Sequence, residues 1–150
     1  LEAVIGRVTH MLRMLAAEHG VVLQAEIQQP CSVKGTEDDL YQIVYNLTEN
    51  AIKYNRPGGF VKIGLAQKSG QAVLTVEDNG IGIPEEDLPK IFDRFYRVDK
   101  ARSRAAGGTG LGLSIVHDTA LRYGGTVQAS RSGAGGALFT VTFPVWKEGA

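Results

Sequence analysis

Apolar residues recur at helical spacing in three separate parts of the chain. Over residues 1–19 they follow the i, i+3, i+4, i+7 pattern of an amphipathic helix, which Gly20 is suited to end. A second stripe follows Thr36, an N-cap residue before three acidic residues, and stops before Pro57. A third runs over about residues 110–123. The apolar positions of the first two predicted helices are Val4, Ile5, Val8, Met11, Leu12, Leu15 and Leu40, Ile43, Val44, Leu47, Ala51.

Shorter apolar runs between the helices predict β-strands. Strands are expected over residues 21–27, 60–66, 72–76, 126–130 and 137–145, with a further short strand at 31–34. Residues 67–71 would join two of them as a hairpin. A short helical stretch over 85–94 and a polar, glycine-ending stretch over 97–108, typical of a mobile loop, precede the third helix. Helices interspersed with antiparallel strand pairs predict a layered α+β sandwich.

Composition fits one ordinary globular domain and excludes several classes of site. The chain has 150 residues, 43% hydrophobic and 21% charged, with a formal net charge of zero. It therefore has no overall field to attract nucleic acid or an anionic membrane. Cys31 is the only cysteine, which excludes an internal disulfide and a cysteine-built metal site. No run of 18 apolar residues is present to span a bilayer, and a start at Leu1 indicates a fragment of a longer protein.

The second predicted helix carries a polar face beside its apolar stripe. Asn46 and Asn50 lie four residues apart, and Lys53 and Tyr54 follow three and four residues later, so all four share one face. Asn in a helix interior costs about 0.5 kcal/mol relative to Ala, so two of them indicate a use. Amide oxygens suit Mg²⁺, a hard cation that also takes phosphate oxygens, and Lys53 would then face phosphate. The plainer interpretation is a solvated helix face.

Asp78 directly follows an apolar strand and precedes a turn that contains Gly80 and Gly82. A carboxylate at a strand end beside glycines suits a narrow pocket, where it can accept a hydrogen bond from an exocyclic amine. The alternative is a simple turn residue, since Asn79 followed by glycine is itself a turn signal.

A glycine-rich segment over residues 107–112 leads directly into the third predicted helix. Its unpaired N–H groups and the helix dipole would favour a phosphate, although a glycine turn before a packed helix is the plainer interpretation. The preceding loop suits a lid over a polyphosphate, because it carries one acidic residue, Asp99, and four basic ones, Arg97, Lys100, Arg102 and Arg104. The glycine spacing matches neither the GxGxxG nor the P-loop pattern.

Four segments, in this order, resemble the boxes of the catalytic ATP-binding domain of bacterial sensor histidine kinases. They are residues 46–54 (NLTENAIKY, the N box), 78–84 (DNGIGIP, the G1 box), 91–97 (IFDRFYR, the F box) and 108–113 (GTGLGL, the G2 box). This domain belongs to the superfamily of gyrase, chaperone, histidine kinase and mismatch-repair ATPases, and the resemblance covers nearly all of residues 1–150. It implies a two-layer α/β sandwich, with a mixed, mostly antiparallel sheet packed on about three helices.

Carried over by position, the resemblance implies a site for ATP and Mg²⁺. Asn50 would be the metal ligand, supported by Asn46, and Lys53 would lie near phosphate. Asp78 would accept a hydrogen bond from the adenine amine, and the lid would be anchored by Phe92, Phe95 and Tyr96. The implied catalytic residues are Asn46, Asn50, Lys53 and Arg97. The implied nucleotide-binding residues are Asn46, Asn50, Lys53, Tyr54, Asp78, Gly80, Gly82, Ile83, Phe95, Tyr96, Gly108, Thr109, Gly110, Leu111, Gly112 and Leu113.

The resemblance also implies partners that lie outside this chain. A sensor kinase phosphorylates a histidine on a separate dimerisation domain and relays the phosphoryl group to a response regulator. No such H box is visible here, and His10 falls in the first helix of the ATP domain itself. The implied setting is the cytoplasmic part of a protein anchored in the bacterial membrane, with no nucleic acid partner and no direct membrane contact by this fragment.

Two other functions remain open at this point. A conformational ATPase of the same superfamily has a glutamate that activates water where this chain has Asn46, and an amide cannot accept that proton. Glu49 lies about 60° of helix rotation from Asn46, which leaves it as a possible auxiliary base. The other alternative is a module that binds nucleotide without turnover, in order to regulate a partner.

Overall fold

The structure, a computed structural model, describes residues 1–82, 86, 88, 91–92, 112–133 and 135–145. Within them the chain forms three helices and five strands. The helices are α1 (Glu2–Glu18), α2 (Glu37–Lys53) and α3 (Gly112–Arg122). The strands are β1 (Val22–Ile27), β2 (Phe60–Lys68), β3 (Gln71–Asp78), β4 (Thr126–Arg131) and β5 (Ala137–Pro144).

The five strands form one mixed sheet in the order β1-β2-β3-β5-β4. β1 runs parallel to β2, and the other neighbouring pairs are antiparallel. The last strand of the sequence therefore lies between β3 and β4 instead of at an edge. This confirms the predicted α+β sandwich with a mixed, mostly antiparallel sheet.

One face of the sheet packs against the helices and holds the core. Every second residue is buried in β3, in β5 and in β2 as far as Leu65, and the register places these residues on the same face, for example Ile63 beside Val76 and Val76 beside Phe139. α2 lies in the middle of the helical layer, in contact with α1, α3, β2 and β3. All five apolar positions predicted for α2 are buried. The N-box residues are thereby attached to a helix that is fixed on several sides.

The three long predicted helices and five of the six predicted strands are confirmed, with small shifts at their ends. The β2–β3 hairpin is tighter than expected, since Gln67 pairs with Ala72 and Lys68 with Gln71. The connection is the two-residue turn Ser69-Gly70, with φ of 52° and 76°. Positive φ at both central positions is the type I′ geometry that matches strand twist. The helical stretch predicted over 85–94 lies mostly outside the described residues, and the loop over 97–108 lies wholly outside them.

The short strand predicted at residues 31–34 is wrong. Only Val33 makes a ladder contact there, a single antiparallel bridge to Val145. The backbone of Cys31 bonds instead to the start of α1: its N–H donates to Oε2 of Glu2 (3.2 Å), and its carbonyl accepts from the amino group of Leu1 (2.9 Å). A segment whose backbone groups are satisfied in this way has no need of a strand partner.

The start of α2 is fixed by its own side chains and by the end of α3. The hydroxyl oxygen of Thr36 accepts from the N–H of Asp39 (3.2 Å), as expected for an N-cap. The carboxylate of Asp39 accepts from the hydroxyl of Tyr123 and from Nη1 of Arg122 (3.3 Å). The Tyr123 bond, with Thr36 and Arg122, holds the pKa of Asp39 below its usual value.

Substituting the cap tests how much this end of α2 contributes to stability. We expect Thr36→Ala to lower the free energy of unfolding by about 1 kcal/mol, because the N–H of Asp39 loses its acceptor. Thr36→Ser keeps the hydroxyl and should retain most of the stability. Urea denaturation followed by circular dichroism measures both variants, and equal losses in the two would contradict a capping role.

Candidate functional site

Asp78 ends β3 with its side chain buried at 6% relative exposure. Its Oδ1 accepts two backbone hydrogen bonds, from the N–H of Gly80 (2.9 Å) and from that of Ala137 (3.2 Å). Within the described residues both bonds go to Oδ1, which leaves Oδ2 for a ligand. Burial raises the pKa of Asp78, and the two N–H donors act in the opposite direction. The carboxylate is thus held in one orientation by the β3 turn and by the start of β5.

Three glycines give the backbone the space that this arrangement needs. A Cβ on Gly80 would lie 2.8 Å from the carbonyl oxygen of Tyr54, and one on Gly136 would lie 2.3 Å from Oδ1 of Asp78. Gly82 has a φ of 78°, a backbone angle that residues with a Cβ rarely adopt. The predicted role of Gly80 and Gly82 in shaping an adenine pocket stays a prediction.

The loop after β3 is joined to the C-terminal end of α2. Tyr54 is the C-cap residue of α2, and its carbonyl accepts from the N–H of Ile81 (3.3 Å). Two amides strengthen the junction at Phe60, where Nδ2 of Asn55 donates to the carbonyl (2.9 Å) and Oδ1 of Asn79 accepts from the N–H (2.7 Å). Asn79 is therefore more than the turn residue that its sequence context suggests. The N box and residues 78–82 are thereby joined directly by backbone hydrogen bonding.

The polar residues predicted on α2 lie together on its C-terminal half. Asn46, Asn50 and Tyr54 form one stripe at i, i+4 spacing, Lys53 lies beside it, and all four side chains are partly exposed. Nδ2 of Asn46 reaches Oε1 of Gln42 at 3.5 Å, the long limit of a hydrogen bond. Both asparagines are thus available to an outside ligand. The described residues contain no group of three or more His, Cys, Asp or Glu side chains that could hold a metal ion.

Glu49 is already engaged by its neighbours on α2. Its Oε1 lies 3.5 Å from Nζ of Lys53, and its carboxylate also interacts with Tyr45, one turn earlier. Burial, and then this negatively charged partner, raise the pKa of Tyr45. Glu49 therefore faces Lys53 and Tyr45, a weak position for the auxiliary base considered from the sequence.

Phe92, the second residue of the F-box segment, contacts both α3 and β5. Its ring stacks on His117 of α3, with centroids 5.7 Å apart, and meets Phe139 of β5 edge-on at 6.2 Å. Gly112 is the first residue of α3, and Leu113 is partly buried against the core. The other predicted site residues lie outside the described residues: Ile83, Phe95, Tyr96, Arg97, Gly108, Thr109, Gly110 and Leu111.

Sequence reasoning missed the contribution of the last hairpin. From the sequence alone, residues 133–136 indicate only a glycine-rich turn between the last two predicted strands. In the structure, Gly136 and Ala137 pack directly against Asp78, 58 and 59 residues earlier in the chain. The available signal was the glycine directly before an apolar strand, since such a glycine often marks a close backbone approach.

Comparison with known families decides which kind of domain this is. The family model described as histidine kinase-, DNA gyrase B- and HSP90-like ATPase matches residues 35–147. The chain belongs to this family. The match includes Asp78 with its supporting hairpin as well as the polar half of α2.

Individual relatives place this ATPase-family domain among sensor histidine kinases. It is 43% identical over 112 residues to the sensor histidine kinase RppB of Synechocystis and 42% identical over 114 residues to WalK of Bacillus subtilis. Each match covers 75% of this chain, but 25% of the length of RppB and 19% of that of WalK. The chain thus corresponds to the catalytic ATP-binding domain of such kinases.

Solved structures agree with this placement. The mycobacterial sensor histidine kinase MprB superimposes with a TM-score of 0.86 and 30% identity, over 96% of this chain and 95% of that one. Full-length ShkA in complex with AMPPNP gives a TM-score of 0.83 with 26% identity, over 99% of this chain and 31% of that one. Among the described residues, no helix has both the length and the apolar character needed to span a membrane.

Proposed function

We propose that this domain binds Mg·ATP and donates the γ-phosphoryl group to a histidine on a separate dimerisation domain. The observation that carries the proposal is the junction between α2 and the β3 turn, where the carbonyl of Tyr54 meets Ile81 and Gly80. The junction places the polar face of α2, which suits phosphates and metal, next to the buried carboxylate of Asp78, which suits the adenine of the nucleotide. One domain, residues 1–150, then supplies the whole nucleotide site.

Asp78 is the residue we propose for recognition of adenine. Two backbone N–H groups fix its Oδ1, which leaves Oδ2 to accept from the exocyclic amine. Gly80, Gly82 and Gly136 keep side chains out of the space around it. Guanine carries a carbonyl oxygen in place of that amine and would meet an acceptor with another acceptor.

The polar half of α2 is the part we propose for phosphate and metal. Asn50 supplies a neutral, hard oxygen of the kind that Mg²⁺ accepts, and Asn46 supports it from one turn earlier. Magnesium, when bound, neutralises part of the phosphate charge. Lys53 adds a positive charge near the phosphates. Backbone N–H groups of the G2 box, ending at Gly112 of α3, would complete the cradle at a helix N-terminus.

Phosphoryl transfer needs little chemistry from the domain beyond these contacts. The attacking group is the imidazole of the partner histidine, so no general base has to be supplied for water. The residues of this chain hold the nucleotide in place and stabilise charge, which accounts for most of the rate in such reactions. We propose that the phosphoryl group then passes to a response regulator, and that the longer protein is anchored in the bacterial membrane.

The rate of ATP hydrolysis distinguishes a kinase domain from a conformational ATPase. Because Asn46 cannot accept a proton from water, we expect the isolated domain to hydrolyse ATP well below about 1 s⁻¹. We also expect it to bind ATP only weakly without Mg²⁺, since the metal neutralises part of the phosphate charge. Binding is measured by isothermal titration calorimetry with and without MgCl₂, and hydrolysis by phosphate release. Rapid steady-state hydrolysis that Asn50→Ala abolishes would contradict the kinase proposal and favour the ATPase.

A further inference from the structure

Glu49 forms an ion pair with Lys53 of its own helix, with Tyr45 one turn earlier. Its Oε1 lies 3.5 Å from Nζ of Lys53, four residues later, and, besides burial, its negative charge contributes to the raised pKa of Tyr45, four residues earlier. The side chains of Glu49 and Lys53 are 27% and 23% exposed, so the pair is only partly screened by water. Glu N-terminal to Lys at i, i+4 is the favourable order on a helix. The pair therefore keeps the ammonium group at a defined place.

The position of Tyr45 is itself supported along α2. Its ring stacks on Tyr41, with centroids 5.7 Å apart and an angle of 22° between the ring planes. The guanidinium of Arg7, from α1, lies 5.0 Å above the Tyr41 ring, and Arg7 also pairs with Glu37 at 2.6 Å. Glu49 thus belongs to an ordered row of side chains, and Lys53 is the member of that row nearest the proposed phosphate site.

We infer that Glu49 is a positioning residue that holds the Lys53 ammonium in the nucleotide-free site and releases it to phosphate when ATP binds. The inference rests on the proposed role of Lys53. One ammonium cannot keep its full interaction with Glu49 while it moves to a phosphate, so ATP must compete with the carboxylate. Glu49 therefore lowers the affinity for ATP, and its effect depends on Lys53.

A double-mutant cycle on ATP affinity tests this exchange. Glu49→Gln keeps the shape of the side chain and removes the charge. We expect it to raise ATP affinity about two- to five-fold, the range of a partly exposed ion pair. In a Lys53→Met background the same substitution should leave ATP affinity unchanged. Affinities are measured by isothermal titration calorimetry with ATP and MgCl₂, after thermal denaturation has shown that each variant is folded.

The matched control is Glu37→Gln, which breaks an ion pair at the other end of α2, and it should not change ATP affinity. Three results would overturn the inference. Glu49→Gln with wild-type affinity would mean that the pair only stabilises the helix. An equal rise in the Lys53→Met background would mean general repulsion between Glu49 and the nucleotide. A rise in ATP affinity for Glu37→Gln as well would also mean general charge repulsion of the nucleotide and no specific exchange at Lys53. If the wild-type domain binds no ATP, the proposed function itself fails, which is a distinct outcome.

Discussion

Asp78→Asn is expected to weaken ATP binding by roughly 10- to 100-fold while the domain stays folded. The variant amide can keep its oxygen toward the N–H groups of Gly80 and Ala137, which places an NH₂ group where Oδ2 accepts in the wild type. That donor would face the donor amine of adenine, and an unmatched buried polar pair costs about 1–3 kcal/mol. Calorimetric titration with ATP and with GTP measures the change, and the preference for ATP over GTP should fall.

Glu77→Gln is the matched control for Asp78→Asn. Glu77 is the preceding residue of β3, its side chain lies on the opposite face of the sheet, and it accepts a hydrogen bond from Ser132 (2.6 Å). We expect this control to leave nucleotide affinity unchanged. If Asp78→Asn kept both the wild-type affinity and the wild-type base preference, Asp78 would be only a turn residue.

Gly136→Ala is expected to disrupt the same pocket from the other side. The new Cβ would lie 2.2 Å from the carbonyl oxygen of Asp78 and 2.3 Å from its Oδ1, far inside contact distance. Either β5 or the end of β3 must move, and such overpacking costs about 1–3 kcal/mol. We expect a lower melting temperature and at least a roughly ten-fold loss of ATP affinity, since a loss of about 1.4 kcal/mol in binding free energy raises the dissociation constant tenfold.

Gly133→Ala provides the comparison in the same hairpin. Among the described residues, a Cβ at Gly133 would have no atom within 4 Å, and the backbone of Gly133 is not in the left-handed region. The control should therefore keep the melting temperature and ATP affinity of the wild type. A Gly136→Ala variant that behaves like Gly133→Ala in both measurements would show that the contact with Asp78 is not needed for the site.

Local patterns explain why most of the fold could be predicted from the sequence. The buried stripe of α2 and the cap at Thr36 depend on residues within a few positions of each other. The strand predicted at residues 31–34 does not form because the N–H of Cys31 bonds to Glu2. Glu2 lies 29 residues earlier, so no local sequence pattern could indicate this contact. The insertion of β5 between β3 and β4 is likewise a property of the assembled sheet.

The candidate site likewise has parts that the sequence indicates and parts that only the folded chain brings together. Asp78 and the polar face of α2 could be found because their residue types and spacing are unusual where they stand. The support of Asp78 by Gly136 and Ala137 could not, since it joins segments almost 60 residues apart. The pairing of Glu49 with Lys53 follows from i, i+4 spacing, but its relation to phosphate depends on where the helix lies. The metal and phosphate roles of Asn46, Asn50 and Lys53 stay predictions.

The central place of β5 in the sheet has a consequence for how the protein is made. On the ribosome, β1, β2 and β3 emerge early, but β4 has no strand to pair with until β5 follows it. Asp78 likewise waits for Ala137 before its second hydrogen bond can form. Contacts between distant segments form late and slowly. The proposed nucleotide site is thus among the last parts to be completed, and a nascent chain that stops short of β5 carries the polar face of α2 without the second support of Asp78.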